Sequence, residues 1–407
     1  MQGELGNLIP LRDYLSRIDA GWSPACEQVP PGAADWGVIR VSAVTSGVFR
    51  EEESKRLPEN LIPRPSLEIK PGDLIMARAN GARNLVGTVC VVRQTRSRLM
   101  LSDKTLRLIP AGNAATAEFL EIALRSSLVR NQVDALLSGS TGQGNIAQKS
   151  VQSLWVPRLS LSEQQRVVDV VHAVDERIAA ESKMLLKEFL LCEGFIDEQL
   201  QCHVQMFDHQ RMVDVCRSPG GYGSNSAAVA RDGRLPRYVR ITDIDDRGCL
   251  SSDLSSAVSI PWESGRSYLL DEGDLLIART GFTTGKSYLH QESDGLCSFA
   301  GYLVRFRVDP AVMLPEYAFM WTRASAFKRW VSRNVHEVGQ RNISAREYDE
   351  HRLPVPPLEV QRELVRAWEV ARSAALLREQ EIARLKLLQQ AIADDLLFAR
   401  MRVHDVA

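Results

Sequence analysis

Two stretches of the 407-residue chain carry a narrow apolar stripe at alternating steps of four and three. The first runs through Val167, Val171, Val174 and Ile178, is interrupted at Glu181, and resumes at Leu185, Phe189, Cys192 and Ile196. The second runs through Leu364, Trp368, Ala371 and Ala375, then Ile382, Leu385, Ile392 and Leu396. This spacing predicts long helices that pack along one seam. Ser162, three residues before Gln165, predicts a capped start for the first helix, and Gly194 marks a kink or an early end. Residues 162–202 contain no proline, and about 41 residues at a rise of about 1.5 Å give a rod of roughly 60 Å. One stripe per helix needs a partner, and each helix is the other's obvious partner.

The segments before the helices pattern differently. Short β-rich runs such as "VIRV", "DLIMA", "GTVCVV" and "YLVRFRV" are bounded by Gly, Pro, Asn and Asp, and helical stretches follow at 117–137 and 315–335. These predict mixed α/β units. The same phrases recur about 200 residues apart. "GVIRVSAVTSG" (37–47) matches "RYVRITDIDDRG" (237–248), and "GDLIMAR" (72–78) matches "GDLLIAR" (273–279). "GQGNIA" (142–147) matches "GQRNIS" (339–344), and "WVPRLSLSEQQRVV" (155–168) matches "LPVPPLEVQRELV" (353–365). Four matches in one order predict a tandem repeat. The expected fold class is α/β (mixed α+β), two globular domains in tandem, each followed by a long helix, with the helices forming an antiparallel coiled coil. The expected boundaries are 1–160 for the first domain, 161–202 for the first helix, 203–356 for the second domain and 357–407 for the second helix.

Composition changes this little. Hydrophobic residues make up 44% and charged residues 25%, which is ordinary for a globular protein. No apolar run approaches the roughly 18 residues a membrane span needs, and "MQGELGNLIPLRDYL" lacks a signal-peptide pattern. The seven cysteines form no Cys-x-x-Cys pair and the seven histidines no ligand spacing. A cytoplasmic protein without a structural metal is expected. The net charge of −1 conceals an uneven distribution: residues 1–161 hold 19 Lys/Arg and 15 Asp/Glu, whereas residues 162–202 hold 4 and 9. A mildly basic unit is thus followed by an acidic helix. Glu181 and that acidic face suit a partner surface or simple solvation.

One stretch suggests nucleotide chemistry. "ARTGFTTGKSYL" (278–289) places Gly281 before Gly285-Lys286-Ser287. A phosphate-binding P-loop needs four residues between its first Gly and the Gly-Lys-Ser, and then a helix. Here there are three, Phe282, Thr283 and Thr284, and the sequence that follows is not helical. The matching stretch of the first half, "ARANGARNLVGTVCVV" (77–92), has no Gly-Lys-Ser at all. No amino-methyltransferase motif or Gly-x-Ser-x-Gly elbow occurs, and the Glu-x-Lys of "LEIK" (67–70) fits a strand end. A recognition subunit, not an enzyme, is the expectation; a nucleotide-binding enzyme using 281–287 and a coiled-coil adaptor are the alternatives.

The order of globular unit, helix, globular unit, helix resembles the specificity (S) subunit of type I restriction–modification enzymes. "IPLRDYLSRIDAGWSP", the paired "GDLIMAR" and "GDLLIAR", the "TGQGNI" and "VGQRNIS" loops, and "VPPLEVQREL" entering a helix carry the resemblance, which covers essentially the whole chain. It implies two target recognition domains, each reading half of a split sequence in double-stranded DNA. It implies helices that dock two methyltransferase (M) subunits, with a translocase–nuclease (R) subunit in restricting systems. It also implies no cofactor on this chain: S-adenosylmethionine and ATP belong to those partners.

Loop residues able to contact bases or phosphates are then the candidates. In the first half these are Arg78, Asn80, Arg83 and Asn84, then Ser140, Thr141, Gln143 and Asn145. In the second they are Arg279, Thr280, Thr283, Thr284 and Lys286, then Gln340, Arg341 and Asn342. Arg78 and Arg279 end matching strands and equally suit a folding role. Asn145 and Asn342 suit turns, and Ser344 with Glu347 forms a capping box. The non-repeated Arg83, Asn84, Thr283, Thr284 and Lys286 are the better base readers. "GGYGSNS" (220–226) reads as a flexible loop able to reach DNA.

Overall fold

The computed structural model describes residues 7–138, 144–251, 254–335 and 342–398. They divide into two compact units, one running up to Ser182 and joined by the segment from Gln380 onward, the other spanning Lys183–Glu379.

In the first unit a four-stranded antiparallel sheet runs in the order Leu15–Ala20, Thr105–Pro110, Leu74–Ala77, Val89–Val91. A three-stranded sheet runs in the order Ser54–Arg56, Gly37–Ile39, Leu99–Met100, the last pair parallel. The "DLIMA" run is apolar throughout because both its faces are buried. Leu74 and Met76 join Phe119 and Leu120 in one core, while Ile75 and Ala77 join Ile39, Val44 and Leu101 in another.

In the second unit a four-stranded antiparallel sheet runs in the order Gly221–Tyr222, Leu303–Arg307, Asp274–Ala278, Ser287–Leu289. Arg237–Val239 pairs antiparallel with Val258–Ser259 and parallel with Cys297–Phe299. Leu275 and Ile277 face one core and Leu276 and Ala278 the other. Each expected helical stretch is two helices. Ala117–Arg125 and Ser127–Leu136 break at Ser126, whose extended backbone lets its side chain cap Val129 N–H. Pro315–Arg323 and Ser325–Asn334 break at Ala324.

The long helices span Leu161–Met206 and Leu358–Leu397. The stripe residues are their shielded positions: Val167, Val171, Ile196, Leu364, Trp368, Ile382 and Leu396 are all buried. Within the first unit, Val167, Val168 and Val171 share a core with Ala393, Leu396 and Leu397. Within the second, Ile196 and Leu200 share a core with Leu364, Val365 and Trp368, and Arg378 pairs with Glu188 at 2.8 Å.

Two expectations about the first helix are corrected. Its capping box is Ser160 with Glu163, not Ser162 with Gln165: Ser160 N–H and Oγ–H donate to Glu163 Oε2 at 2.8 and 2.6 Å. Gln164, fully buried, clamps the preceding loop, donating to Ala114 O and Leu159 O (2.8 and 3.0 Å) and accepting from Thr116 N–H (3.3 Å). Nor does Gly194 end the helix, which runs on to Met206. The buried anchors Ile196 and Leu200 fix the turns beyond it, at a cost of about 1 kcal/mol for glycine in a helix.

Candidate nucleic-acid interface

Both units bring their candidate loops together by backbone pairing. Past Leu74–Ala77 the chain continues as Ala79–Asn80, antiparallel to Gly144–Asn145. Arg78 lies between, with its N–H on Lys104 O (2.9 Å) and its carbonyl accepting from Ile146 N–H (2.9 Å). In the second unit Arg279 N–H donates to Tyr302 O (3.0 Å), Arg279 O accepts from Ile343 N–H (2.9 Å), and Thr280 bridges Asn342. Arg78, Asn80 and Asn145 therefore share one site, as do Arg279, Thr280 and Asn342. Ser140, Thr141, Gln143, Gln340 and Arg341 lie outside the described residues.

The two repeated arginines differ. Arg279 lies 4.5 Å over the Tyr222 ring and donates through Nε to Asn342 Oδ1 at 3.3 Å, and Tyr222 Oη in turn accepts from Ala345 N–H at 3.0 Å. Its guanidinium fastens the return segment to the sheet. Among the described residues Arg78 has no such partner, and Asn145 Oδ1 is buried without a hydrogen bond. Arg83 and Asn84 are exposed on the short turn Arg83–Leu85, and Asn80 Oδ1 accepts from Ala82 N–H at 2.9 Å, shaping the loop. The box of Ser344 and Glu347 forms as expected.

The Gly-Lys-Ser stretch does not have the geometry of a P-loop. Ser287 opens the strand Ser287–Leu289, so the helix that a P-loop requires does not follow the loop. Lys286 Nζ is committed to Asp246 Oδ1 (2.8 Å) and Ile244 O (3.2 Å), and this hydrogen-bonded ammonium holds the Asp246 carboxyl below the usual carboxylate range. Gly285 has a structural role. Its φ is +88°, its N–H reaches Ala278 O at 2.8 Å, and a Cβ there would lie 2.9 Å from Val331. Gly87 does the same in the first unit, with φ +86°, N–H to Ala77 O at 2.8 Å and Val133 at 2.8 Å. Gly285→Ala is expected to lower stability by about 2 kcal/mol or more, since an alanine there takes left-handed strain and a clash. A denaturant midpoint equal to that of the unsubstituted chain would contradict it.

"GGYGSNS" is packed rather than flexible. Gly221–Tyr222 is a sheet strand, and a Cβ on Gly223 would lie 2.4 Å from the carbonyls of Phe299 and Ala300. These glycines permit close approach. Sequence reasoning also missed the far wall of the loop. Arg323, Lys328 and Ser332 line an open groove of about 530 Å³ with residues 281–287. The signal was the basic face of "AFKRWVSRN", which reads first as helix solvation. Among the described residues no cluster of His, Cys, Asp or Glu is placed to hold a metal, and no helix is long and apolar enough to cross a membrane.

No family model matches the chain. A 143-residue segment is 38% identical to the type I restriction enzyme EcoEI specificity subunit of Escherichia coli, covering 35% of this chain and 24% of that protein. Over 348 residues the chain is 19% identical to the type I restriction enzyme StySPI specificity subunit of Salmonella potsdam, covering 81% and 73%. Its relatives are type I specificity subunits. The match spans about a quarter of the length of the first of these specificity subunits. The fold is shared with a solved structure described as showing complex assembly and conformational transition of the type I R-M system (19% identity, TM-score 0.56, 96% of this chain and 97% of that one).

Proposed function

We propose that this chain is the non-catalytic DNA-specificity subunit of a type I restriction–modification complex. The observation that carries this reading is the arrangement found in both units: an Arg-ended strand whose loop pairs with a Gly/Asn return segment. Two readers of one design suit a target in two halves. The proposed recognition domains are 1–160 and 203–356, tandem copies, and the same strand pairings in each unit support that. The proposed spacers are 161–202 and 357–407, an antiparallel coiled coil. The meeting of the first helix's start with the second's end in one unit, and of the converse ends in the other, supports it. A rigid spacer sets half-site separation.

The partners are double-stranded DNA and two methyltransferase subunits, with a translocase–nuclease subunit where the system restricts. Exposed Leu186, Leu190, Leu191 and Phe195 on one helix and Leu376 and Leu377 on the other suit protein docking. S-adenosylmethionine and ATP sit on the partners, whose cations also supply phosphate contacts that a chain of net charge −1 lacks. The DNA contacts proposed are Arg78, Asn80, Arg83, Asn84 and Asn145, and Thr280, Thr283, Thr284, Lys286 and Asn342, together with Ser140, Thr141, Gln143, Gln340 and Arg341, which lie outside the described residues. Arg279 is kept chiefly as the residue that positions its return segment. The test is single-molecule methylome sequencing of source cells with and without the gene. One split motif is expected to lose its methylation in the deletion; an unchanged methylome in cells that express the methyltransferase subunits would overturn the reading.

A further inference from the structure

The short helices Ser127–Leu136 and Ser325–Asn334 are copies of one element: Val133 in the first and Val331 in the second lie against the loop glycines Gly87 and Gly285. The first N–H of a helix has no acceptor within the helix, and a capping side chain reaches only the second or third. Ser126 Oγ accordingly accepts from Val129 N–H, and Ala324 has no side chain to offer. In both copies the missing acceptor comes from a long helix. Ser127 N–H donates to Asp394 Oδ1 at 3.3 Å, and Ser325 N–H donates to Asp197 Oδ1 at 2.7 Å. Each aspartate follows a buried anchor, Ala393 or Ile196, so its place on the long helix is held from below. In the second unit Gln201, one turn on, adds a bond from Nε2 to Ser325 Oγ at 2.9 Å.

The same short helices reach the candidate DNA loops. Arg130 donates to Asn84 O and Val86 O at 3.3 and 2.6 Å in the first unit. Its counterpart in the second, Lys328, lines the groove with Ser332 and residues 281–287. Each unit therefore holds one continuous path: long-helix carboxylate, short helix, reading loop.

We propose that Asp197 and Asp394 are positioning residues that fix each reading loop against its long helix. A carboxylate at a helix N-terminus is favourable in charge as well as in hydrogen bonding, and a packed helix carries the constraint to its far end. The proposal rests on the DNA-recognition reading above. In that reading the long helices set the half-site separation, and a loop able to shift against its helix reads at a less defined distance. The second unit leans harder on its aspartate, because its bond is shorter and Ala324 leaves no other cap.

The test measures methyl transfer by the complex assembled with its methyltransferase subunits. The duplexes carry the split motif with its own spacer or with one base pair added. The ratio of the two rates is the readout, since loss of folded protein lowers both together and leaves the ratio unmoved. Asp197→Ala is expected to lower the preference for the native spacer roughly fivefold, about what a lost cap is worth as a ratio, and Asp394→Ala to lower it less. Asp197→Asn keeps an acceptor for Ser325 N–H and should restore the preference. An unchanged ratio in Asp197→Ala overturns the proposal. So does an asparagine variant that behaves like alanine, which would show that the bond to Ser325 is not what holds the loop. If the unsubstituted complex does not prefer its motif over a scrambled duplex, the DNA-recognition reading itself fails; a full preference with an unmoved spacer ratio overturns only this proposal.

Discussion

Replacing Arg107 by leucine is expected to destabilise the first unit by about 3–5 kcal/mol, the range for stripping one partner from a buried charge cluster. The guanidinium is 8% exposed and makes five hydrogen bonds: two to Asp19 Oδ2 (2.8 and 3.2 Å), one to Asp73 Oδ2 (3.1 Å), and one each to Glu68 O (2.9 Å) and Ser66 O (2.8 Å). Leucine leaves two carboxylates beside each other and two carbonyls unpaired. Against a total stability of about 5–15 kcal/mol, that loss brings the unit close to unfolding. Hydrogen exchange localises it: amides of 15–20 and 105–110 should lose protection, while those of 274–278 and 303–307 keep theirs. The second unit is the internal control, because Arg305 there donates to Leu269 O at 2.9 Å but sits 3.6 Å from Asp274. Uniform protection across both units would refute the cluster's role. Arg107→Lys should recover only part, since one ammonium cannot span both carboxylates in the guanidinium's fork.

That cluster marks where the sequence was legible and where it was not. The repeated Gly-Asp-Leu phrases announce a strand, and both are strands. The aspartates within them look like turn residues. Asp73 and Asp274 do accept from Lys70 N–H (2.9 Å) and Asp271 N–H (3.1 Å), but each also faces an arginine from a strand about 30 residues on. Periodicity is blind to such non-local pairing. The glutamines at the helix starts follow the same logic. Gln164 and Gln361 are both fully buried, and Gln361 donates to Val312 O and Pro356 O (3.2 and 2.8 Å) while accepting from Leu314 N–H (2.8 Å). A polar residue on a polar-looking helix start gives no sign that a loop folds over it. By contrast, the apolar stripes of the long helices name the shielded positions residue by residue, because a helix sets burial from local spacing alone. The candidate interface falls between these cases. Matching phrases indicated which loops belong to one site, whereas Tyr222 beneath Arg279 and Lys328 opposite Lys286 come from segments whose pairing only the fold reveals.

Acid is expected to destabilise the second unit through His351. The ring is 5% exposed and enclosed by Trp321, Trp330 and Phe327, with centroids at 6.0, 4.3 and 5.1 Å. Trp321 Nε1–H, which can only donate, reaches His351 Nε2 at 2.9 Å. The imidazole is therefore neutral with its proton on Nδ1, and protonating Nε2 would set two donors against each other. Burial, with His209 adding a smaller electrostatic push, lowers its pKa from 6.5 to about 4. The sign follows by linkage: as pH falls below about 6.5 the unfolded chain takes up a proton that the folded chain refuses. Stability is full above pH 6.5, declines toward pH 4 and levels off below it, with a loss of about 3 kcal/mol at about 1.4 kcal/mol per pKa unit. Burial shifts His203 and His290 in the same direction, so they steepen the decline. Denaturant melts at successive pH values, followed by tryptophan fluorescence, measure it. His351→Gln keeps an acceptor for Trp321 but does not titrate, so its stability should vary less between pH 6.5 and 4 by one proton's share of the slope. A variant whose pH profile runs parallel to that of the unsubstituted chain would show that His351 is not the group responsible.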